Sequence, residues 1–236
     1  MEWGFGEVAE ILLNHEQIHF NAKDHDGNTP YRYARGRKES DNFHVKLLIS
    51  HKDIDVNDQT LSGWRPLHQA SICGWLSIAK DLLARGADPN ATIPAGAGGA
   101  GAEESALHLA AYAGLPDLVK ELIANGADPN YRNWLEETPL MSIAFDDKLS
   151  TAQTLITMGA DVNVATFTDG DTALTLAAKK GQCKVVKLLL ENGADFNHVT
   201  YKGKTALYLA KYFGRKSVVK ELKFYAHPEK TKCSVM

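Results

Sequence analysis

The chain has 236 residues, 44% apolar and 23% charged, with a net charge of −3. That balance is ordinary for a globular chain in water and excludes nucleic-acid binding driven by bulk charge. No run reaches the roughly 18–20 apolar residues of a membrane-spanning helix. Cys73, Cys183 and Cys233 contain no CxxC pair, which excludes a disulfide framework or a zinc site and fits a reducing, cytoplasmic setting.

Along the chain, Glu2, Glu7 and Glu10 stand where a signal peptide would be basic, so export is not expected. The segment Glu7-Val-Ala-Glu-Ile-Leu-Leu13 reads as the second helix of a pair with no first helix ahead of it. Two readings follow: Met1 begins a piece of a longer protein, or Trp3 and Phe5 cover the exposed end. The first is preferred, because a stack of repeats needs a polar cap. Next, Tyr31-Arg-Tyr-Ala-Arg-Gly-Arg-Lys38 interleaves basic and aromatic residues as single-strand binders do. It is short and followed at once by Glu39 and Asp41, and reads as a solvated helix face.

From there the chain repeats itself. The phrase GADxN ends at Asn90, Asn130, Asn163 and Asn197, with degenerate copies ending at Asn57 and Asn21; the spacings are 36, 33, 40, 33 and 34. Upstream of Asn90, Asn130, Asn163 and Asn197 stand Arg65-Pro-Leu-His68, Ser105-Ala-Leu-His108, Thr138-Pro-Leu-Met141 and Thr172-Ala-Leu-Thr175; Thr205-Ala-Leu-Tyr208 follows Asn197, and Thr29-Pro-Tyr-Arg32 stands earlier. Thr or Ser before Pro or Ala is a helix N-cap followed by a favoured first position. Gly74, Gly114, Gly181 and Gly214 end that first helix. A second helix follows, with an apolar stripe such as Val185-Val186-Lys-Leu188-Leu189-Leu190, and the glycine of GAD ends it. One such pair cannot bury its own apolar face, so stability comes from stacking. The unit after Asn90 carries seven extra residues within Ile93–Ala102, a glycine-alanine stretch expected to hold no single shape.

A period near 33 carrying both phrases is similar to the ankyrin-repeat family over nearly the whole chain. The resemblance implies an all-α solenoid of helix pairs with short β-turn fingers. The domain spans 1–227, with about six repeats, the first incomplete, and an extended finger at 91–104. Residues 228–236 form a basic tail. The resemblance also implies that His68 and His108 are structural, bonded to their own tetrapeptide and nearby backbone. No third ligand suits a metal. Cys183 is expected in the core, and Cys73 has no activating partner. The adjacent acids Glu136-Glu137 and Asp146-Asp147 read as solvated. No catalytic set, cofactor site or small-molecule substrate site is expected.

In ankyrin proteins the contact surface is usually the fingertips and the exposed face of the first helix. Four positions beyond the repeat asparagine stand Leu61, Pro94, Trp134, Phe167 and Tyr201; seven beyond the cap stand Ile72, Tyr112, Phe145, Lys179 and Tyr212. With Trp64, the expected partner-binding residues are Trp64, Ile72, Tyr112, Trp134, Phe145, Phe167, Tyr201 and Tyr212. A row of rings at equivalent positions suits an interaction surface.

The terminus Cys233-Ser-Val-Met236 resembles a C-a-a-X prenylation box, with Lys230 and Lys232 just upstream. Residues 199–236 carry nine basic and two acidic side chains, a net +7, which leaves −10 for residues 1–198. A lipid on Cys233 beside that basic tail would tether the chain to an anionic membrane, although Ser is a poor residue for such a box. The same tail also suits a PDZ domain. The combination is similar to prenylated ankyrin effectors of intracellular bacteria. The expected function is a non-enzymatic scaffold or adaptor for a protein partner. The alternative is a regulatory segment of a larger enzyme whose catalytic domain lies upstream of Met1.

Overall fold

The computed structural model describes residues 22–25, 27, 54–94, 103–146 and 148–226. The helix expected at 7–13, the basic run at 31–38, the centre of the insertion and the tail with Cys233 lie outside the described residues. Among those described, ten helices and no strand occur: α1 (Pro66–Cys73), α2 (Leu76–Ala84), α3 (Ala106–Ala113), α4 (Pro116–Ala124), α5 (Pro139–Ile143), α6 (Leu149–Thr157), α7 (Ala173–Lys180), α8 (Cys183–Glu191), α9 (Ala206–Tyr212) and α10 (Lys216–Ala226). They divide between two compact units, Met1–Asp128 and Pro129–Met236.

Helix starts follow the tetrapeptide. The hydroxyls of Ser105, Thr138, Thr172 and Thr205 each accept the backbone N–H three residues on, satisfying a donor that the first turn leaves orphaned. Arg65 has no hydroxyl, and there the imidazole of His68 accepts the Arg65 N–H instead, at 3.1 Å. α5 is the exception in length. Its unit lacks the stopping glycine and ends at Ala144 in right-handed conformation.

In the first unit α1 packs on α3 and α2 on α4; in the second α7 packs on both α5 and α9, and α8 on both α6 and α10. Ala70, Ala110, Ala111, Ala177 and Ala210 have no exposed surface, and their small side chains let the first helices approach closely. The second helices supply the bulk, with Ile78 and Leu82, Val119 and Leu122, Leu155, Val186 and Leu189 fully buried. Each such side chain removed from water contributes about 1.5–3 kcal/mol before entropy is counted. Cys183 departs from the expected core position. It opens α8 and is half-buried, because the buried stripe begins two residues later at Val185.

The GADxN asparagines join neighbouring repeats. In the first unit Asn57 Nδ2 donates to Gly86 O at 2.9 Å and its Oδ1 accepts from Asp88 N at 2.9 Å. Asn90 does the same to Gly126 and Asp128, at 2.8 and 2.9 Å. In the second unit Asn163 reaches Gly193 O at 3.0 Å and Asp195 N at 2.8 Å, and Asn130 reaches Gly159 O and Asp161 N. The period of the motif is therefore the reach of one amide to the next finger.

Candidate functional site

Each finger is closed by the residue three places beyond its asparagine. Thr60, Thr166 and Thr200 accept a backbone N–H on their own Oγ1, from Trp64 at 3.1 Å, Asp171 at 3.0 Å and Lys204 at 3.2 Å. Asn133 accepts from both Leu135 N and Glu137 N on its Oδ1, at 3.0 Å each. The tip residue follows directly, so Leu61, Trp134, Phe167 and Tyr201 occupy one structural position. The finger of Phe167 is longer, closing from Gly170 N to Thr166 O at 3.0 Å, yet its tip keeps register.

The tips stand in solvent. Leu61 is 78% exposed, Trp134 58%, Phe167 67% and Tyr201 66%. Their mountings differ. Glu136, in left-handed conformation at φ 61°, extends its carboxylate to Phe167 N at 2.5 Å and Thr168 N at 3.0 Å. This residue is no solvated loop charge: it ties the Trp134 finger to the Phe167 finger. Arg132 lies 4.3 Å from the Phe167 ring centroid and donates to Ala165 O at 2.7 Å. Tyr201 rests against the neighbouring turn, its N–H on Asp169 O at 3.0 Å and its ring against Gly170.

The first-helix positions divide. Tyr112 and Tyr212 are 59% and 73% exposed. Trp64, Ile72 and Phe145 are half-buried. Trp64 meets the His68 imidazole edge-on, with centroids 6.2 Å apart. Phe145 carries the Lys180 ammonium over its ring at 5.0 Å and accepts Gln182 Nε2 on its carbonyl at 2.8 Å. The expected insertion also divides. Ile93 is 2% exposed and exchanges backbone bonds with Glu104 O and Glu103 N, at 3.1 and 2.5 Å, so its base is packed.

The histidines sit where the tetrapeptide puts them. His68 accepts on Nδ1 from Arg65 N, which leaves Nε2–H to donate to Ala91 O at 2.9 Å. Burial pushes its pKa down from 6.5 to about 4, so the ring is neutral. His108 is equally buried and lies 3.0 Å from Ser105 Oγ. No group of three metal-binding side chains occurs among the described residues.

Sequence reasoning missed Tyr208 and Phe213, 45% and 46% exposed. Tyr208 takes the tetrapeptide's histidine position and stacks on Tyr212 one turn on, with centroids 6.3 Å apart and planes at 10°. The helical spacing of two tyrosines was the available signal. Phe213 meets Tyr212 edge-on at 5.1 Å, and Lys204 lies 4.0 Å over Tyr208. Beside them Lys202 Nζ is 2.5 Å from Asp169 Oδ1, and this hydrogen bond holds the carboxyl below its ordinary range and the ammonium above its own.

Comparison with known proteins places this architecture. The model of ankyrin repeats (3 copies) matches residues 2–93, 107–200 and 143–232. The ankyrin repeat and KH domain-containing protein mask-1 of Caenorhabditis elegans is 33% identical over 81% of the chain, which covers 8% of that protein. Palmitoyltransferase AKR1 of Lachancea kluyveri is 36% identical over 70% of the chain, 22% of its own length. Human inversin is 38% identical over 39% of the chain, 9% of its own length. The chain thus spans less than a quarter of these relatives. Its repeated caps, fingers and asparagine bridges, together with these matches, make the chain a member of the ankyrin-repeat family.

Proposed function

We propose that this chain is a non-enzymatic scaffold that captures a protein partner on its fingertips and first-helix faces. The observation that carries this is the row of Trp134, Phe167 and Tyr201, each 58–67% exposed at one structural position, directly after the finger-closing residue. Aromatic side chains have only two rotatable bonds to immobilise on binding, and Trp and Tyr are frequent interface anchors. The test is a pull-down from cell lysate comparing wild type with a Trp134→Ala/Tyr201→Ala double variant. Partners retained equally by a folded double variant refute the surface.

The tail adds a placement to this function. Cys233 as a farnesylated residue, with Lys230 and Lys232 against an anionic leaflet, would bring the captured partner to a membrane. Ser-Val-Met236 as a PDZ ligand is the competing use of the same residues. Cys233→Ser releases a lipid-tethered chain and leaves a PDZ contact intact, which separates the two. A second reading, the regulatory ankyrin segment of a larger enzyme, is favoured by the likeness to a palmitoyltransferase of which the chain covers 22%. Coding sequence upstream of Met1 with a catalytic fold of its own would support it.

A further inference from the structure

We propose that the concavity between the 169–171 turn, the 200–204 finger and α9 binds a peptide segment in which a large apolar or aromatic side chain stands beside a carboxylate. The proposal deepens the scaffold reading and rests on it. The concavity holds about 360 Å³ and is lined by Leu209, the rings of Tyr208, Tyr212 and Phe213, and five charged side chains. The stacked tyrosines form one wall, with Phe213 edge-on behind Tyr212.

The charges select the occupant. Lys179, Lys202 and Lys204 face Asp169 and Asp171. Asp171 is committed on both oxygens, accepting Thr175 Oγ1 at 2.9 Å and pairing with Lys179. Asp169 is committed to Lys202. Lys204 has no carboxylate partner among the described residues; its ammonium stands over the Tyr208 ring. A positive charge without a counter-ion among the described residues thus sits at the face of an aromatic wall. A carboxylate on the incoming peptide would pair with Lys204 while its apolar neighbour covers the rings. The surroundings agree, since residues 199–226 hold seven basic side chains and one acidic one, a field that steers acidic segments inward. A nucleic acid fits less well. Asp169 and Asp171 line the same concavity and would repel successive phosphates, whereas one carboxylate needs only Lys204.

The experiment is selection of a random-peptide phage library on the intact chain, followed by anisotropy titration of the enriched peptides in synthetic form. Peptides with an aromatic–acidic pair should be enriched. Their affinity should fall at least about tenfold for Lys204→Gln and for Tyr212→Ala, stay near wild type for Lys204→Arg, and be unmoved by Trp134→Ala. Circular dichroism confirms that each variant is folded; Tyr212, 73% exposed, is the safe substitution should the Lys204 variant unfold. Enrichment of basic or neutral peptides, or binding insensitive to both pocket variants, overturns the proposal. Absence of any enriched peptide overturns it too, while the scaffold reading stands or falls separately on the lysate pull-down. Poly-uridylate binding that Lys204→Gln abolishes would assign the pocket to nucleic acid and likewise overturn it.

Discussion

Replacing Asn163 by alanine removes two hydrogen bonds between consecutive fingers, to Gly193 O at 3.0 Å and from Asp195 N at 2.8 Å. A neutral hydrogen bond contributes about 0.5–1.5 kcal/mol net. Both bonds are solvent-exposed, and water takes over part of the loss, so the expected cost is about 1–2 kcal/mol. Asn197 is the internal control. It sits at the same motif position, but its side-chain amide has no hydrogen-bond partner among the described residues; its backbone N–H goes to Asp195 Oδ1 at 2.9 Å. Asn197→Ala should therefore stay within about 0.5 kcal/mol of wild type. Asn163→Asp should cost at least as much as the alanine. It keeps an acceptor for Asp195 N–H but turns a carboxylate oxygen toward the Gly193 carbonyl. Urea denaturation of all three variants at neutral pH gives the comparison, provided the slopes agree. Equal midpoints for the Asn163 and Asn197 alanine variants would falsify the bridging role.

Four further outcomes are expected. His68 is neutral in the fold with its pKa near 4, so its contribution is fully present above about 6.5 and is lost as pH falls through 4. Over that range stability should drop by up to about 3 kcal/mol in wild type, more steeply than in His68→Gln. Gly63 and Gly86 share positive φ, 73° and 86°, but an added Cβ meets Pro94 Cδ at 2.0 Å at Gly63 and nothing within 4 Å at Gly86. Gly86→Ala should cost about 1–2 kcal/mol and Gly63→Ala clearly more, and equal thermal midpoints would refute the Pro94 contact. Trp134→Ala should weaken the partner complex by about 2 kcal/mol or more without lowering the melting temperature, as calorimetry of the complex and of the chain alone will show. Mass spectrometry of protein expressed in eukaryotic cells should find Cys233 lipidated as the terminus; an unmodified Met236 there rejects the tether.

Much of this was readable from spacing. The cap hydroxyls of Ser105, Thr138, Thr172 and Thr205, the left-handed glycines and the tip register of Trp134, Phe167 and Tyr201 are local or periodic features, and each acts within its own repeat. What escaped depends on the neighbouring repeat. Glu136 beside Glu137 carries no sequence mark of its use, because the N–H groups it holds belong to a finger 31 and 32 residues on. Ile93 looked like the start of an unstructured stretch, yet it fills the finger-closing position that Thr or Asn takes elsewhere and is buried there. Cys183 matched the apolar periodicity but precedes the turn on which the stripe is covered. Trp64 and Phe145 were expected to be contact residues, but His68 and Lys180 already occupy part of their surfaces.

The buried Ile93 also decides what the long finger can become. The bridge from Thr92 to Ser105 and the two bonds of Ile93 form a closed neck at the base of this finger. The entropy of closing a loop grows only with the logarithm of its length, about 0.6 kcal/mol for each doubling. A segment spliced beyond the neck is therefore nearly invisible to α1–α4. The position is a socket: a reporter, an affinity tag or a second recognition peptide can be seated there, and evolution could have lengthened it by the same route.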